Sequence, residues 1–433
     1  MCIFLMDCLK NLGHWSMPCK SQDVLLPIVT IEAPVNSLSP NPIKAIEVFT
    51  LPPRFAVVRV VTEAGESYGD ITLESHVETQ MTCAKDMASF FIGNDANRIS
   101  IVQDFLSHDF YSNSPVQRSM AAGIEVALWD ILGRRLGVPV YQLFGGLLHT
   151  KGLPYYRWIG GDVPDPDSAV EQAHEVIKQS NVCALKLNAC PTMGPIDVHG
   201  GIQHATTVAK ALHESLPSNV SVAYDGHGRL KPATARKFID AIRPYNPLFV
   251  EEPVEPAYEH ELPFIRQAAG GVSIATGERM FGAPDFFRLA ANRGVDIFQP
   301  DMVHVGGLTN LKRIAAVAES AGLAMAPHCP LSAIAFMGIY QVMVTSRSGF
   351  LLECADGIHY NDQAAQELGE NPWNFYIKNK EIFELDEDGL MAPPSGPGLG
   401  IEFDTEALQR ASKIPIKWER KSHYLKTGLL ARS

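Results

Sequence analysis

The sequence has no cluster of basic residues and no long uninterrupted apolar segment. Lysine and arginine total 36 against 48 aspartate and glutamate residues, which gives a formal net charge of −12. A protein of this charge is poorly suited to bind nucleic acid or an anionic membrane. Because no run of about 18 uncharged apolar residues exists, we expect no transmembrane helix. These absences favour a small-molecule ligand.

Paired cysteine motifs are also missing. The cysteines include no C-x-x-C pair, and several stand in apolar, strand-like runs, as reduced core cysteines do. The start MCIFLMDCLK has no basic segment before its apolar patch, and Asp7 interrupts that patch, so we expect no signal peptide. The expected location is the cytoplasm. The eight cysteines are Cys2, Cys8, Cys19, Cys83, Cys183, Cys190, Cys329 and Cys354.

The chain is long enough for a barrel and a smaller domain. It has 433 residues, of which 46% are hydrophobic, and this supports a large buried core. Residues 1–41, rich in Pro, Ser and Asn, predict a poorly ordered extension. Residues 42–150 predict an α+β domain, with a hairpin that turns at 63–66 and a helix over 119–137 that ends at Gly137.

Residues 151–365 show the rhythm of parallel β/α units, in which short apolar runs alternate with amphipathic helical segments. Eight such runs predict a (β/α)8 barrel rather than an open doubly wound sheet, since no G-x-G-x-x-G follows any of them. We expect residues 366–433 to return and pack on the first domain. The eight runs are 153–159, 183–188, 220–225, 248–252, 272–276, 296–301, 323–327 and 349–354.

Titratable residues stand within or just after seven of these runs. The carboxyl ends of strands surround the active site in β/α barrels. From the third run onward the residues recur about one strand-plus-helix unit apart, a register that scattered surface charges would rarely keep. We therefore predict a single site that contains Lys186, Asp225, Glu251, Glu278, Asp301, His328 and Glu353.

Three of these residues are carboxylates on neighbouring strands. Asp225, Glu251 and Glu278 would repel one another without a cation, and hard oxygen ligands suit Mg²⁺ or Mn²⁺. Zinc is disfavoured because no cysteine or histidine cluster with ligand spacing accompanies them. One such carboxylate alone is readily explained by a strand-end ion pair. The three together predict a metal site.

The stretch SVAYDGHGRL places Asp225 and His227 two residues apart at a strand end. Residues at this spacing project from the same strand face, so both side chains can enter one site. A metal-binding pair, an acid/base pair and a simple polar turn all agree with the spacing.

Acid and base chemistry is indicated by the later strands. Asp301 and His328 end consecutive strands, where the carboxylate would set the imidazole tautomer and raise its basicity, as a general base requires. Lys186 is most simply a cation beside a substrate carboxylate. His304, close behind Asp301, is a further candidate for the site.

Several motifs give the chain a resemblance to a known family. From about Pro42 to Phe403 it resembles the enolase superfamily, mandelate-racemase-like branch, through ALWDILGRRLGVPVYQLFGG, FVEEPV, GERM, QPDMVHVGG and APHCPL. Within that branch RWIGGD, LKLN, YDGHGR, APHCPLSAIAF and GIHYN look most like galactonate dehydratases. The resemblance implies an N-terminal α+β capping domain over a modified (β/α)7β barrel.

The resemblance also implies roles for matching positions. It makes Asp225, Glu251 and Glu278 the Mg²⁺ ligands. It makes His328 the base and Asp301 its dyad partner. It makes His227 the general acid and Glu353 a contact of the substrate or the intermediate. Lys186 matches the first lysine of the K-x-K motif of the racemases, whereas Asn188 occupies the second position. This departure leaves one good base and a separate acid, instead of bases on both faces of the substrate.

The implied reaction is dehydration of an aldonic acid. The base removes the C2 proton, the acid protonates the departing C3 hydroxyl, and the product is a 2-keto-3-deoxy acid. A base on the seventh strand implies a 2R substrate such as D-galactonate or D-gluconate. A racemase, epimerase or cycloisomerase of another carboxylic acid, and a catalytically idle binding relative, are the alternatives. The family also implies a homo-oligomer.

Specificity is expected to depend on residues around this centre. The loops YGDITLESHVE and YSNSPVQRS depart from the W-G-E and the more basic loop of galactonate dehydratases. Gly226 replaces the aromatic residue usual between the aspartate and the histidine, which predicts open space there. The predicted substrate contacts are Asn188, Glu74, His76, Arg118 and His304.

Overall fold

The computed structural model describes residues 38–74, 76–108, 114–160, 165–189, 193, 196–197, 200–358, 368–414, 423–424 and 430–431. Of the extension predicted for residues 1–41, residues 1–37 lie outside the described residues. Its poor order therefore stays a prediction.

A three-stranded antiparallel sheet opens the described chain. Strands β1 (Ile43–Leu51), β2 (Phe55–Thr62) and β3 (Gly65–Asp70) follow one another in the order β1-β2-β3. The predicted hairpin is confirmed as the β2–β3 pair. The first predicted segment is in fact two strands, because Pro52 and Pro53 have no backbone N–H for a ladder and mark a turn.

Four helices follow the sheet: α1 (Val77–Phe91), α2 (Ser100–His108), α3 (Pro115–Leu136) and α4 (Val140–Leu143). The Ser114 side chain caps α3 by accepting a hydrogen bond from Gln117 N–H, and Pro115 fits the first turn. Gly137 ends the helix at φ 69°, a left-handed conformation that glycine adopts without strain. The predicted helix end is confirmed.

Each of the eight predicted apolar runs contains one strand of a parallel sheet. The sheet order is β10-β9-β8-β7-β6-β5-β4-β11, and a parallel bridge from Met325 to Gly349 joins its two ends. The strands are β4 (Tyr155–Trp158), β5 (Ala184–Asn188), β6 (Ser221–Asp225), β7 (Val250–Glu251), β8 (Ile274–Thr276), β9 (Ile297–Phe298), β10 (Ala324–Met325) and β11 (Leu352–Cys354).

Helical segments connect every strand to the next, so seven β/α units and a final strand make the expected (β/α)7β barrel. Short 3-10 helices span Arg243–Tyr245 and Pro256–Glu261. The connecting α-helices are α5 (Pro166–Ser180), α6 (Gly201–Ser215), α7 (Pro232–Ile242), α8 (Leu262–Ala268), α9 (Ala283–Asn292), α10 (Met302–Val305), α11 (Leu308–Ala321) and α12 (Ala333–Met343).

The described part of the C-terminal segment holds a 3-10 helix (Lys380–Phe383), α13 (Thr405–Ala411), β12 (His423–Tyr424) and β13 (Leu430–Ala431). Leu399 N–H donates to Asp130 Oδ1 on α3 at 2.6 Å, and the Phe403 ring packs on Tyr68 of β3. These contacts agree with a return to the first domain. The boundaries at 41, 150 and 365 stay predictions. No helix among the described residues is both long and apolar enough to cross a membrane.

Candidate active site

The interior of the barrel is layered. Its lower layer takes one apolar side chain from each strand region: Tyr156, Ala184, Ala223, Phe249, Ala275, Ile297, Ala326 and Leu351. Because side chains alternate along a strand, residues two positions further on also face inward, at the carboxyl ends. Those positions include Lys186, Asp225, Glu251, His328 and Glu353. The sequence pattern therefore places polar groups directly above an apolar floor.

Asp225, Glu251 and Glu278 converge as predicted. One carboxylate oxygen from each lies within 4.8 Å of the others. Asp225 Oδ2, Glu251 Oε1 and Glu278 Oε2 are buried, and none accepts a well-oriented hydrogen bond. Burial and the nearby carboxylates raise the pKa of Glu251 to about 8, although Lys186 opposes this. The three oxygens form a site that a hard divalent cation fits, since such an ion would satisfy all of them.

Lys186 is fully buried beside this cluster. Its Nζ lies 2.7 Å from Glu251 Oε2 and 3.0 Å from Glu353 Oε1. The ring of Trp158 lies 4.5 Å away and adds a cation–π contact. Burial alone would lower the pKa of the ammonium, but the carboxylates hold this pKa well above its usual range. Lys186 is therefore a fixed positive charge in the site.

Asp301 and His328 form the predicted dyad. His328 Nδ1 lies 2.9 Å from Asp301 Oδ2. Asp301 Oδ1 accepts hydrogen bonds from Val303 and His304 N–H groups at the start of α10, which hold the carboxylate still. His328 Nε2 lies 3.3 Å from Glu278 Oε2, on the side of the carboxylate cluster. Burial opposes charge on the imidazole, yet Glu278, Glu353 and Asp301 raise its pKa well above its ordinary value.

His227 contacts the cluster from the end of β6. Its backbone N–H donates to Asp225 Oδ1 at 2.7 Å, and its ring Nε2 lies 3.0 Å from Asp225 Oδ2. The backbone at His227 has φ 45°, an uncommon conformation for a non-glycine residue. Its ring stacks on Trp158, with a centroid distance of 5.9 Å. The side chain thus has a defined place beside the site, which a loose polar turn would not give it.

The prediction of open space at Gly226 is wrong. A Cβ atom added there would lie 2.8 Å from the backbone oxygen of Glu252. Gly226 N–H also donates to Glu251 O at 2.9 Å. The chain after β6 therefore lies against the chain after β7, and glycine permits that approach.

Two of the predicted substrate contacts, Glu74 and His304, contact each other next to Asp301 of the dyad. His304 is buried, and its Nε2 lies 3.2 Å from Glu74 Oε2 in the N-terminal domain. Its Nδ1 lies 3.3 Å from Ser119 Oγ. Burial opposes charge on His304, but Asp301 and Glu74 raise its pKa to about 9. Glu74 and His304 are therefore an ion pair next to Asp301.

Each of the other three predicted substrate contacts stands on a different element. Asn188 Oδ1 accepts a hydrogen bond from Arg229 Nη1 at 2.9 Å, at the end of β5. Arg118 Nη1 donates to Val305 O at 3.1 Å, between α3 and α10. His76 is exposed at the start of α1. Their roles in substrate binding stay predictions.

Trp158 was not among the predicted site residues. Its Nε1–H donates to Glu353 Oε1 at 2.5 Å, and its ring contacts both Lys186 and His227. The sequence carried one signal that would have identified it, since Trp158 stands two residues after the inward-facing Tyr156 on the first barrel strand.

Known proteins are similar to this chain in sequence and in fold. Residues 29–145 match the family described as mandelate racemase / muconate lactonizing enzyme, N-terminal domain, and residues 168–407 match the enolase C-terminal domain-like family. D-galactonate dehydratases of Pectobacterium atrosepticum and Ralstonia pickettii are each 37% identical, over 87% of this chain and 96% of their own. A crystal structure of an enolase from Agrobacterium radiobacter with bound sodium and L-malate superimposes with a TM-score of 0.78 at 23% identity, over 90% of this chain and all of that one.

An N-terminal α+β domain joined to a (β/α)7β barrel, with carboxylates at the strand ends, defines an enolase-type barrel enzyme. Within that class, the chain belongs to the mandelate racemase / muconate lactonizing enzyme branch of the enolase superfamily.

Proposed function

We propose that this chain is a Mg²⁺-dependent dehydratase of an aldonic acid, with D-galactonate and D-gluconate as the first candidates. The main support is the combination of one histidine–aspartate dyad beside Glu278 with a second histidine beside Asp225 of the same three-carboxylate site. The 37% identity to D-galactonate dehydratases points to the same chemistry.

Asp225, Glu251 and Glu278 would hold the cation. A bound Mg²⁺ supplies positive charge that stabilises the anion formed when a proton leaves the carbon next to a carboxylate. Three buried carboxylate oxygens that accept no well-oriented hydrogen bond support this assignment. Lys186, held between Glu251 and Glu353, presents a second positive charge to the substrate carboxylate.

His328 would act as the base. With Nδ1 directed at Asp301, its Nε2 points to the side of the carboxylate cluster, where it would accept the C2 proton of a 2R acid. Glu353 lies against Lys186 and Trp158, where it would contact the enediolate that results.

His227 would act as the acid. It donates a proton to the departing C3 hydroxyl, so that water leaves and an enol forms. The enol takes a proton at C3, loses the proton of its C2 hydroxyl and becomes the 2-keto-3-deoxy acid. Asn188, Glu74, His76, Arg118 and His304 are proposed to bind or orient the sugar chain.

Assembly and location belong to the same proposal. The family resemblance supports a symmetric homo-oligomer. Among the described residues, Cys83, Cys183, Cys329 and Cys354 are free thiols, as expected for a protein of the cytoplasm.

The direct test is a screen of aldonic acids with Mg²⁺, in which product is detected as a semicarbazide-reactive 2-keto acid. We expect turnover of at least one 2R aldonate and loss of that turnover in His328→Asn. No turnover of any member of the library contradicts the proposal. Exchange of solvent deuterium into C2 of another carboxylic acid, with no loss of water, would instead favour an epimerase.

A further inference from the structure

The loop that carries His328 is held by side chains from three separate parts of the chain. Residues 326–332 connect β10 to α12. Each of residues 329–332, and Ala333 at the start of α12, makes a hydrogen bond to a distant side chain. A loop anchored at consecutive residues has little freedom to shift. The position of the proposed base therefore depends on side chains outside its own strand.

Two of these anchors come from the N-terminal domain. Arg54 Nη2 donates to Pro330 O at 3.0 Å. Asp70 Oδ2 accepts a hydrogen bond from Ser332 N–H at 2.9 Å. Both side chains are buried, at 5% and 0% exposure. The other oxygen of Asp70 accepts from Thr72 N–H at 2.7 Å, so the carboxylate cannot turn away from the loop.

The remaining anchors come from the barrel and from the segment after it. Cys329 N–H donates to Glu353 Oε2 at 2.8 Å. Trp373 Nε1–H donates to Leu331 O at 3.1 Å, and Ala333 N–H donates to the Tyr376 hydroxyl at 3.2 Å. Glu353 belongs to the proposed catalytic machinery, and Trp373 and Tyr376 are large core side chains. Asp70 has no such second role, whereas Arg54 Nη1 also lies 3.9 Å from Glu74 Oε1, a proposed substrate contact.

We propose that Asp70 and Arg54 are positioning residues for the base: the N-terminal domain places His328 against the C2 proton by holding the loop at Ser332 and Pro330. The inference rests on the proposed function. Asp301 sets the orientation of the His328 ring, whereas the two anchors set the location of its backbone.

Proton transfer depends steeply on this location. Displacement of a reacting group by about 1 Å can lower a rate on the order of 10²-fold. The carboxylates of the cation site stand on or after other strands, and the contact of Glu278 Oε2 with His328 Nε2, at 3.3 Å, is made to a side chain and not to the backbone of this loop. Loss of an anchor should therefore slow proton abstraction and leave cation binding unchanged.

The test uses Asp70→Asn, in which an NH2 group, which donates but cannot accept a hydrogen bond, replaces one carboxylate oxygen at the same size, so the N–H groups of Thr72 and Ser332 are left with one acceptor between them. Arg54→Gln removes the second anchor independently and decides the question if Asp70→Asn does not fold. Asp130→Asn is the matched control. Asp130 is also a fully buried aspartate of the N-terminal domain that accepts a distant backbone N–H, that of Leu399, but it does not touch the loop.

In Asp70→Asn and Arg54→Gln we expect kcat for the aldonate that the wild type turns over to fall about 10- to 100-fold. In Asp70→Asn, KM should stay close to the wild-type value, and in both variants so should the Mg²⁺ affinity from titration calorimetry. The isotope effect with C2-deuterated substrate should rise, because proton abstraction becomes more rate-limiting. Amide hydrogen exchange of residues 328–336 should also become faster. Asp130→Asn should lower the thermal unfolding midpoint without these changes.

The inference is overturned if both variants keep the wild-type kcat and isotope effect, or if they lose no more activity than Asp130→Asn. Unchanged amide exchange in residues 328–336 also overturns it. A wild type that converts no aldonate overturns the proposed function and the inference together, which distinguishes that failure from an active enzyme with unaffected variants.

Discussion

At the scale of residues, two imidazoles with different partners divide the proposed proton transfer. His328 is paired with Asp301, which does not belong to the carboxylate triad, whereas His227 lies against Asp225 of that triad and stacks on Trp158. A racemase would need a base on each face of the substrate. The unequal surroundings of the two histidines favour one base and one acid.

Replacement of His227 by Asn should separate the two steps. His328 should still remove the C2 proton, so recovered substrate should gain deuterium from D₂O. Dehydration should fall about 10²- to 10⁴-fold, because the hydroxyl leaves without a proton donor. Nuclear magnetic resonance of substrate and product measures both rates.

His174→Asn, at an exposed position on α5, is the control and should leave both rates unchanged. Equal loss of exchange and dehydration in His227→Asn would contradict the assignment of separate roles.

At the scale of elements, the junction of β6 and β7 determines where two of the three carboxylates lie. Asp225 and Glu251 are directly paired in register. Just beyond them, Gly226 contacts the backbone at Glu252, which has φ 37° and is held by an ion pair with Arg279. The close approach of these two chain segments leaves no room for a side chain.

Gly226→Ala should therefore destabilise the protein. Its Cβ would overlap the Glu252 oxygen, and overpacking of this kind costs about 1–3 kcal/mol of unfolding free energy. Urea unfolding measures the loss. Gly201→Ala is the control, because a Cβ there meets the flexible Met193 side chain at 3.2 Å. Equal stability of the two variants would show that the junction relaxes without cost.

At the scale of the whole molecule, one cation would connect three consecutive parts of the barrel. Its proposed ligands come from the ends of β6 and β7 and from the chain just after β8. In its absence these carboxylates are buried and repel one another, and burial first and then this repulsion raise the pKa of Glu251. Cation binding should consequently stabilise the folded state.

Addition of Mg²⁺ should raise the free energy of unfolding by about 2.7 kcal/mol at a concentration 100 times Kd. Glu278→Gln should abolish most of this increase, because one ligand charge is lost. Asp296→Asn should retain it, since Asp296 pairs with Arg266 before β9, at the opposite end of the barrel. Chemical unfolding with and without Mg²⁺ measures the difference, and an equal increase in all three proteins would exclude Glu278 as a ligand.

The sequence by itself determined the architecture and the composition of the site. Alternation along strands and the strand-plus-helix repeat are local properties, so all eight runs and the convergence of Asp225, Glu251 and Glu278 were predictable. The pairing of Asp301 with His328 follows from the same regularity, because adjacent parallel strands end side by side.

Only the tertiary structure decided which atoms meet across long separations. The Asp70–Ser332 hydrogen bond joins residues 262 positions apart, and the contact of Trp158 with Glu353 joins the first barrel strand to the last. The closeness of Gly226 to Glu252 likewise depends on how two strand ends bend. Such contacts follow from the stagger of strands and the packing of the N-terminal domain on the barrel, which no local pattern of residues encodes.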